Sequence, residues 1–206
     1  MIHPSIKNLI FDLGGVLLDL HIDRSHQAFA ELGKTSVEEV KEKIKSTDCF
    51  VQHEKGLISD DEFRNEIRNL LNTGAENHEI DAAWSAMLGD VPADRLNLLA
   101  HLRKDYKIFL LSNTNAIHVP LFSQTVKANM DGRELESFFD KVYYSHVIRM
   151  RKPDPEIYTH VLDQSRLNAG ETLFLDDFKP NLDGAEKLGI NTFHVQGGQS
   201  LFNLFS

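Results

Sequence analysis

Four polar groups in this chain stand where short apolar runs end, and their types suit phosphoryl chemistry. Asp12 follows Leu9-Ile10-Phe11 and precedes Gly14-Gly15. A carboxylate so placed can act as a nucleophile, and the glycines let backbone N–H groups approach a phosphate closely. Ser112-Asn113 close the run Ile108 to Leu111 and offer a hydroxyl donor and an amide to phosphoryl oxygens. Lys152 lies in Arg151-Lys152-Pro153-Asp154-Pro155, where the prolines stiffen the segment and fix the direction of the ammonium. A fixed ammonium screens a carboxylate nucleophile from an incoming anion and stabilises charge in the transition state. Asp176-Asp177 follow Leu173-Phe174-Leu175. Adjacent carboxylates repel unless a cation pairs with them, and Mg²⁺ prefers carboxylate oxygens. Asn181, one turn onward, can orient a ligand or a metal-bound water. Each signal has a plainer explanation: a turn aspartate, a helix cap, a surface lysine, an acidic helix start. Their joint occurrence at four successive strand ends favours chemistry.

The elements that must position these groups read as an α/β protein. Short apolar runs alternate with helical patterns, as in βαβ units. Five strands are expected, at Leu9–Phe11, Ile108–Leu111, Val142–Tyr144, Leu173–Leu175 and Asn191–Val195. They are apolar enough to be buried on both faces of a parallel sheet. In such a sheet, ligands gather beyond the carboxyl ends of the strands. The segment between the first two strands is too long for a single crossover and reads as a helical insert. Ser36 with Glu39 and Ser59 with Glu62 fit capping boxes. Phe63, Ile67, Leu70 and Leu71 share one helical face, as do Ile80, Trp84, Met87 and Leu88. A further helix is expected near Asp23 to Leu32. The organisation expected is a core of residues 1–16 and 91–206, with a four-helix bundle over 17–90. Pro92 is expected to begin the next helix, and Asp154-Pro155 to cap and start a later one.

Composition narrows the function. Lys and Arg number 22 against 31 Asp and Glu, a formal net charge of −9, so wrapping by nucleic acid is disfavoured. A local cation can still reverse the field for a small anionic substrate. Nothing approaches a membrane-spanning apolar run, and the first residues lack the pattern of a secretory leader. Cys49 is the single cysteine, which excludes an intrachain disulfide and makes a cytoplasmic location the expectation.

On Phe11-Asp12-Leu13-Gly14-Gly15-Val16, Leu110-Leu111-Ser112-Asn113, Arg151-Lys152-Pro153-Asp154-Pro155 and Phe174-Leu175-Asp176-Asp177-Phe178-Lys179-Pro180-Asn181, the chain resembles the haloacid dehalogenase-like (HAD) phosphohydrolases over nearly its whole length. The Asp-Leu-Gly-Gly-Val form is similar to a branch of glucose-1-phosphate phosphatase-like proteins. The resemblance implies a Rossmann-like core, a helical C1-type cap and Mg²⁺. It further implies a phosphatase acting on a small phosphorylated metabolite, such as a sugar phosphate, through an aspartyl-phosphate on Asp12. Asp12, Ser112 and Lys152 are then catalytic. Gly14, Ser112, Asn113 and Lys152 hold the phosphate. Asp12, the backbone of Gly14, Asp176 and Asp177 hold the metal.

Two positions depart from the family pattern. Most phosphatases of the family carry a second aspartate two residues after the nucleophile, which protonates the leaving oxygen. Here Gly14 stands there, and loss of a general acid costs about 10²–10⁴-fold in rate. His21 and Asp19 are nearby candidates to replace it. The second departure is Arg149, three residues before Lys152, where a glycine is common. Gly14 keeps two other readings open: a phosphate-binding protein with weak or no turnover, and a 2-haloacid dehalogenase, which needs no metal.

Overall fold

A computed structural model describes residues 2–206. In chain order the elements are β1 (Asn8–Phe11), α1 (Ile22–Gly33), α2 (Val37–Lys45), α3 (Cys49–Glu54), α4 (Asp60–Leu71), α5 (Asn77–Ser85), α6 (Ala93–Leu102), β2 (Lys107–Ser112), α7 (His118–Asn129), β3 (Lys141–Tyr144), α8 (Ser145–Ile148), α9 (Pro155–Ser165), β4 (Thr172–Asp176), α10 (Lys179–Glu186), β5 (Asn191–His194) and α11 (Gly198–Leu204). The strands form one parallel sheet in the order β3-β2-β1-β4-β5. β1 is central, and Phe11 pairs with Leu110 on one side and Leu175 on the other. Its carboxyl end therefore lies where the connections change direction, the ligand-binding crevice of an open α/β sheet.

Alternation along the strands builds two apolar layers. Leu9, Phe11, Leu110 and Leu175 pack with Leu96 and Leu99 of α6 and Phe122 and Val126 of α7. Ile10, Phe109, Leu111 and Phe174 pack on the opposite face with Ile157 and Val161 of α9 and Leu182 of α10. β1, β2 and β4 are buried almost throughout, as double-sided strands should be. The edge strands β3 and β5 are only partly covered, and β5 spans Asn191–His194, stopping before Val195. Edge position explains this, since each has a neighbour on one side only.

The helices between β1 and β2 have their own core of Phe29, Val40, Phe63, Ile67, Ile80 and Trp84. The four expected helices are there, joined by a fifth, α3, so the insert is not a four-helix bundle. Six residues are too few for α3 to show a helical period. Helix α5 ends at Ser85, and Met87 and Leu88 lie beyond it. Leu88 instead bridges Leu20 in an antiparallel ladder, with Asp19 N–H donating to Asp90 O at 2.8 Å. That ladder ties the entrance of the insert to its exit.

Local chemistry explains the helix starts. Ser59 and Glu62 form the reciprocal capping box. At Ser36 only half of it forms, because the Glu39 carboxylate is taken by Thr35. Pro92 sits one residue ahead of α6, at its N-cap. Asp154 precedes α9 without a capping bond, its carboxylate pairing instead with Lys55 of the insert at 2.6 Å.

Candidate active site

The register of β1 and β4 puts Asp12 next to Asp176, with the Asp12 N–H donating to Leu175 O at 2.9 Å. Lys152 Nζ reaches both carboxylates, at 2.8 Å from Asp12 Oδ1 and 2.7 Å from Asp176 Oδ2. Asp12 Oδ1 also accepts from the Leu13 N–H at 2.6 Å. The same oxygen thus takes both contacts, leaving Oδ2 without a hydrogen bond among the described residues. A carboxylate clamped on one side and open on the other is the arrangement an attacking oxygen needs.

Lys152 is buried, and its segment is held from β2. The Asn113 side chain accepts from the Lys152 N–H at 2.9 Å and donates to its carbonyl at 3.0 Å. Expected to face a phosphate, the Asn113 side chain instead anchors the lysine. Ser112 is buried at the end of β2, among the walls of the adjoining cavity. Asn181 Nδ2 donates to both oxygens of Asp176, at 3.0 and 3.1 Å, and the Phe178 N–H donates to Oδ1 at 2.8 Å. Asp176 is therefore well bonded by the protein, whereas Asp177 is exposed.

The donor set fits a divalent cation. Carboxylate oxygens of Asp12, Asp176 and Asp177 all lie within 4.8 Å of one another. One ammonium faces three carboxylates, so negative charge is left over. Burial pushes the Asp12 carboxyl well above the usual carboxylate range, helped by Asp176 and Asp177 and opposed by Lys152. Burial and Asp176 raise Asp177 likewise. Mg²⁺ at this cluster would relieve that repulsion with the oxygen ligands it prefers. The Gly14 carbonyl accepts no backbone hydrogen bond among the described residues and is available as a further ligand. Gly15 has φ +71°, and a Cβ there would overlap the Asp177 carboxylate, so only glycine lets this turn close against the cluster.

Between sheet and insert lies a cavity of about 330 Å³, lined by Leu13, Gly14, Ser112 and Asn113 below and by Phe29, Phe50, Trp84 and Met87 above. Sequence reasoning missed Glu54, which also lines it. Glu54 is the last residue of α3, and no pattern in so short a segment singles it out. Arg151 donates to Glu54 Oε2 from Nε at 3.1 Å and from Nη2 at 2.9 Å. Arg149 caps α8 with φ +58°. That left-handed backbone explains why a glycine is at home in this place.

A family model described as haloacid dehalogenase-like hydrolase matches residues 6–189. The chain belongs to the haloacid dehalogenase-like hydrolases. Among members of the family, a D-ribitol-5-phosphate phosphatase of Bacteroides thetaiotaomicron is 34% identical over 193 residues, spanning 94% of this chain and 93% of its own. A HAD family enzyme from the same species, crystallised with magnesium and inorganic phosphate, has TM-score 0.87 at 38% identity, covering 98% of this chain and 100% of that one. A HAD-like family hydrolase structure from Porphyromonas gingivalis has TM-score 0.86 at 33% identity, covering 98% of both chains. No described helix is long and apolar enough to cross a membrane.

Proposed function

We propose that this HAD hydrolase is a Mg²⁺-dependent phosphatase of a small phosphorylated metabolite, a sugar or sugar-alcohol phosphate. The observation that carries the reading is the unbonded Oδ2 of Asp12 beside Lys152 and two further carboxylates. The phosphatase named for D-ribitol 5-phosphate and the solved enzyme holding magnesium and phosphate support it.

Asp12 attacks phosphorus and forms the aspartyl-phosphate, which water then hydrolyses. Lys152 and the Ser112 hydroxyl take the phosphoryl oxygens, and the Gly14 N–H, without a partner among the described residues, is free to join them. Asn113 keeps Lys152 aimed during the transfer. Asp12, Asp177, Asp176 and the Gly14 carbonyl would hold Mg²⁺. A bound Mg²⁺ neutralises the carboxylates and the charge on the phosphoryl group. Helices α1–α5 act as a cap that excludes water and meets the leaving group. The buried free Cys49 suits a cytoplasmic home.

The test is phosphate release from a panel of small phosphoesters, with and without Mg²⁺. Release should require the metal and stop with EDTA. Halide release from a 2-haloacid that persists after chelation would instead favour carbon–halogen chemistry. Phosphate binding without turnover of any ester would leave a binding protein.

A further inference from the structure

Gly14 has no side chain to give a proton, and a side chain added there would first have to turn the end of Leu20 aside. A Cβ on Gly14 would lie 2.6 Å from Leu20 Cδ1, and the Leu20 backbone is bridged to Leu88. The proton for the leaving oxygen must come from another wall of the cavity. Asp19 is paired with Arg95 at 2.8 Å, and neither Asp19 nor the exposed His21 lines the cavity. His118 does line it, but burial lowers its pKa to about 4, so it is not an acid near neutrality, and its Nε2 is sealed from solvent. The Nδ1 of His26 is sealed as well.

Glu54 is the one carboxyl in this wall among the described residues. Its Oε2 is anchored on Arg151, and its Oε1 accepts no hydrogen bond among the described residues. Arg151 immediately precedes Lys152, which faces Asp12. The anchor ties the Glu54 carboxyl to the segment that carries Lys152, in a cavity whose wall it shares with Gly14 and Ser112. The side chain keeps 20% of its surface exposed, enough for its free oxygen to meet a ligand.

We propose that Glu54, delivered by the insert, is the general acid–base of this enzyme. The proposal rests on the phosphatase reading above. As Asp12 oxygen bonds to phosphorus, the bond from phosphorus to the leaving oxygen breaks, and the Glu54 proton passes to that oxygen to give an alcohol. In the second half, the Glu54 carboxylate takes a proton from the attacking water. The bond from phosphorus to Asp12 breaks, phosphate leaves, and Asp12 and protonated Glu54 are restored. Burial supports the role by raising the Glu54 carboxyl above its ordinary value, against the pull of Arg151, His53 and Lys152.

The experiment compares Glu54→Gln and Glu54→Asp with the unaltered protein on two esters: a pentitol phosphate, whose alkoxide leaves poorly, and p-nitrophenyl phosphate, whose phenolate leaves without help. Glu54→Gln should lower the single-turnover rate of alcohol release, which reports the first half-reaction alone, about 10²–10⁴-fold on the alkyl ester and less than about tenfold on the aryl ester. Glu54→Asp should recover part of the alkyl-specific loss. Calorimetric titration with inorganic phosphate and Mg²⁺ checks that the Gln variant is folded with its site intact. An equal loss on both esters would make Glu54 a structural anchor and overturn the proposal. So would no loss on either, or no recovery in the Asp variant. Failure of the unaltered protein to release phosphate from either ester would sink the phosphatase reading instead.

Discussion

At the scale of single residues, Asp12 and Lys152 divide the work between reaction and structure. Asp12→Asn keeps the shape but has no anionic oxygen to attack phosphorus. Phosphate release should fall to background while the circular dichroism spectrum stays native. Lys152→Met removes the only ammonium among the described residues that bonds Asp12 and Asp176, leaving buried carboxylates uncompensated. Breaking such a pair costs about 3–5 kcal/mol, so its urea midpoint should drop sharply in metal-free buffer. Asp12, Ser112, Asp176 and Asp177 were legible because they close apolar runs, where a polar residue stands out, and Lys152 because prolines stiffen the segment around it. Asn113 stands just past the end of β2, but the partner of its side chain was not readable. That partner comes from a loop 39 positions away, and no local pattern encodes a contact so distant.

At the scale of elements, the longer helices of the insert and those after Pro92 and Asp154 were visible, whereas α7 and the short α3 were not. The buried residues of α3 are Cys49 and His53, an i, i+4 pair too brief to distinguish from a loop. Two consecutive residues at its end, Glu54 and Lys55, pair with Arg151 and Asp154 on either side of Lys152. The element that was hardest to read thus joins the insert to the phosphate-binding lysine. The short α8 carries a different cost. Arg149 holds a left-handed conformation that strains an L-residue by about 1–2 kcal/mol, partly offset in glycine by its looser unfolded chain. Arg149→Gly should therefore raise stability by about 1 kcal/mol or slightly less, measured by urea denaturation.

At the scale of the whole molecule, acid should act through buried histidine. Burial holds His118 neutral, with its pKa lowered to about 4 from an ordinary 6.5, and His146 is lowered for the same reason. The unfolded chain takes up these protons first, so stability is full above about pH 6.5 and drains away as pH falls toward 4. For His118 alone the loss by pH 4.5 is roughly 2.5 kcal/mol. The difference in stability between His118→Phe and the unaltered chain should shift toward the variant by that amount between pH 7 and 4.5. A constant difference would show that the ring stays uncharged for another reason. Binding of Mg²⁺ to the folded state alone should add about 2.7 kcal/mol at a hundred times its Kd, read as a rise in Tm that EDTA reverses.

The Leu20 methyl against Gly14 also constrains how this chain could acquire the commoner two-aspartate motif. An aspartate introduced by one substitution would arrive in a berth already taken, and would have to evict an apolar group from the seam between the two lobes. Trimming Leu20 first would open a gap in that seam before any carboxyl could fill it. The occupant is the rotatable end of one half-buried leucine, so the direct order asks only for a turn of that side chain, and the glycine form stands a single step from the commoner motif.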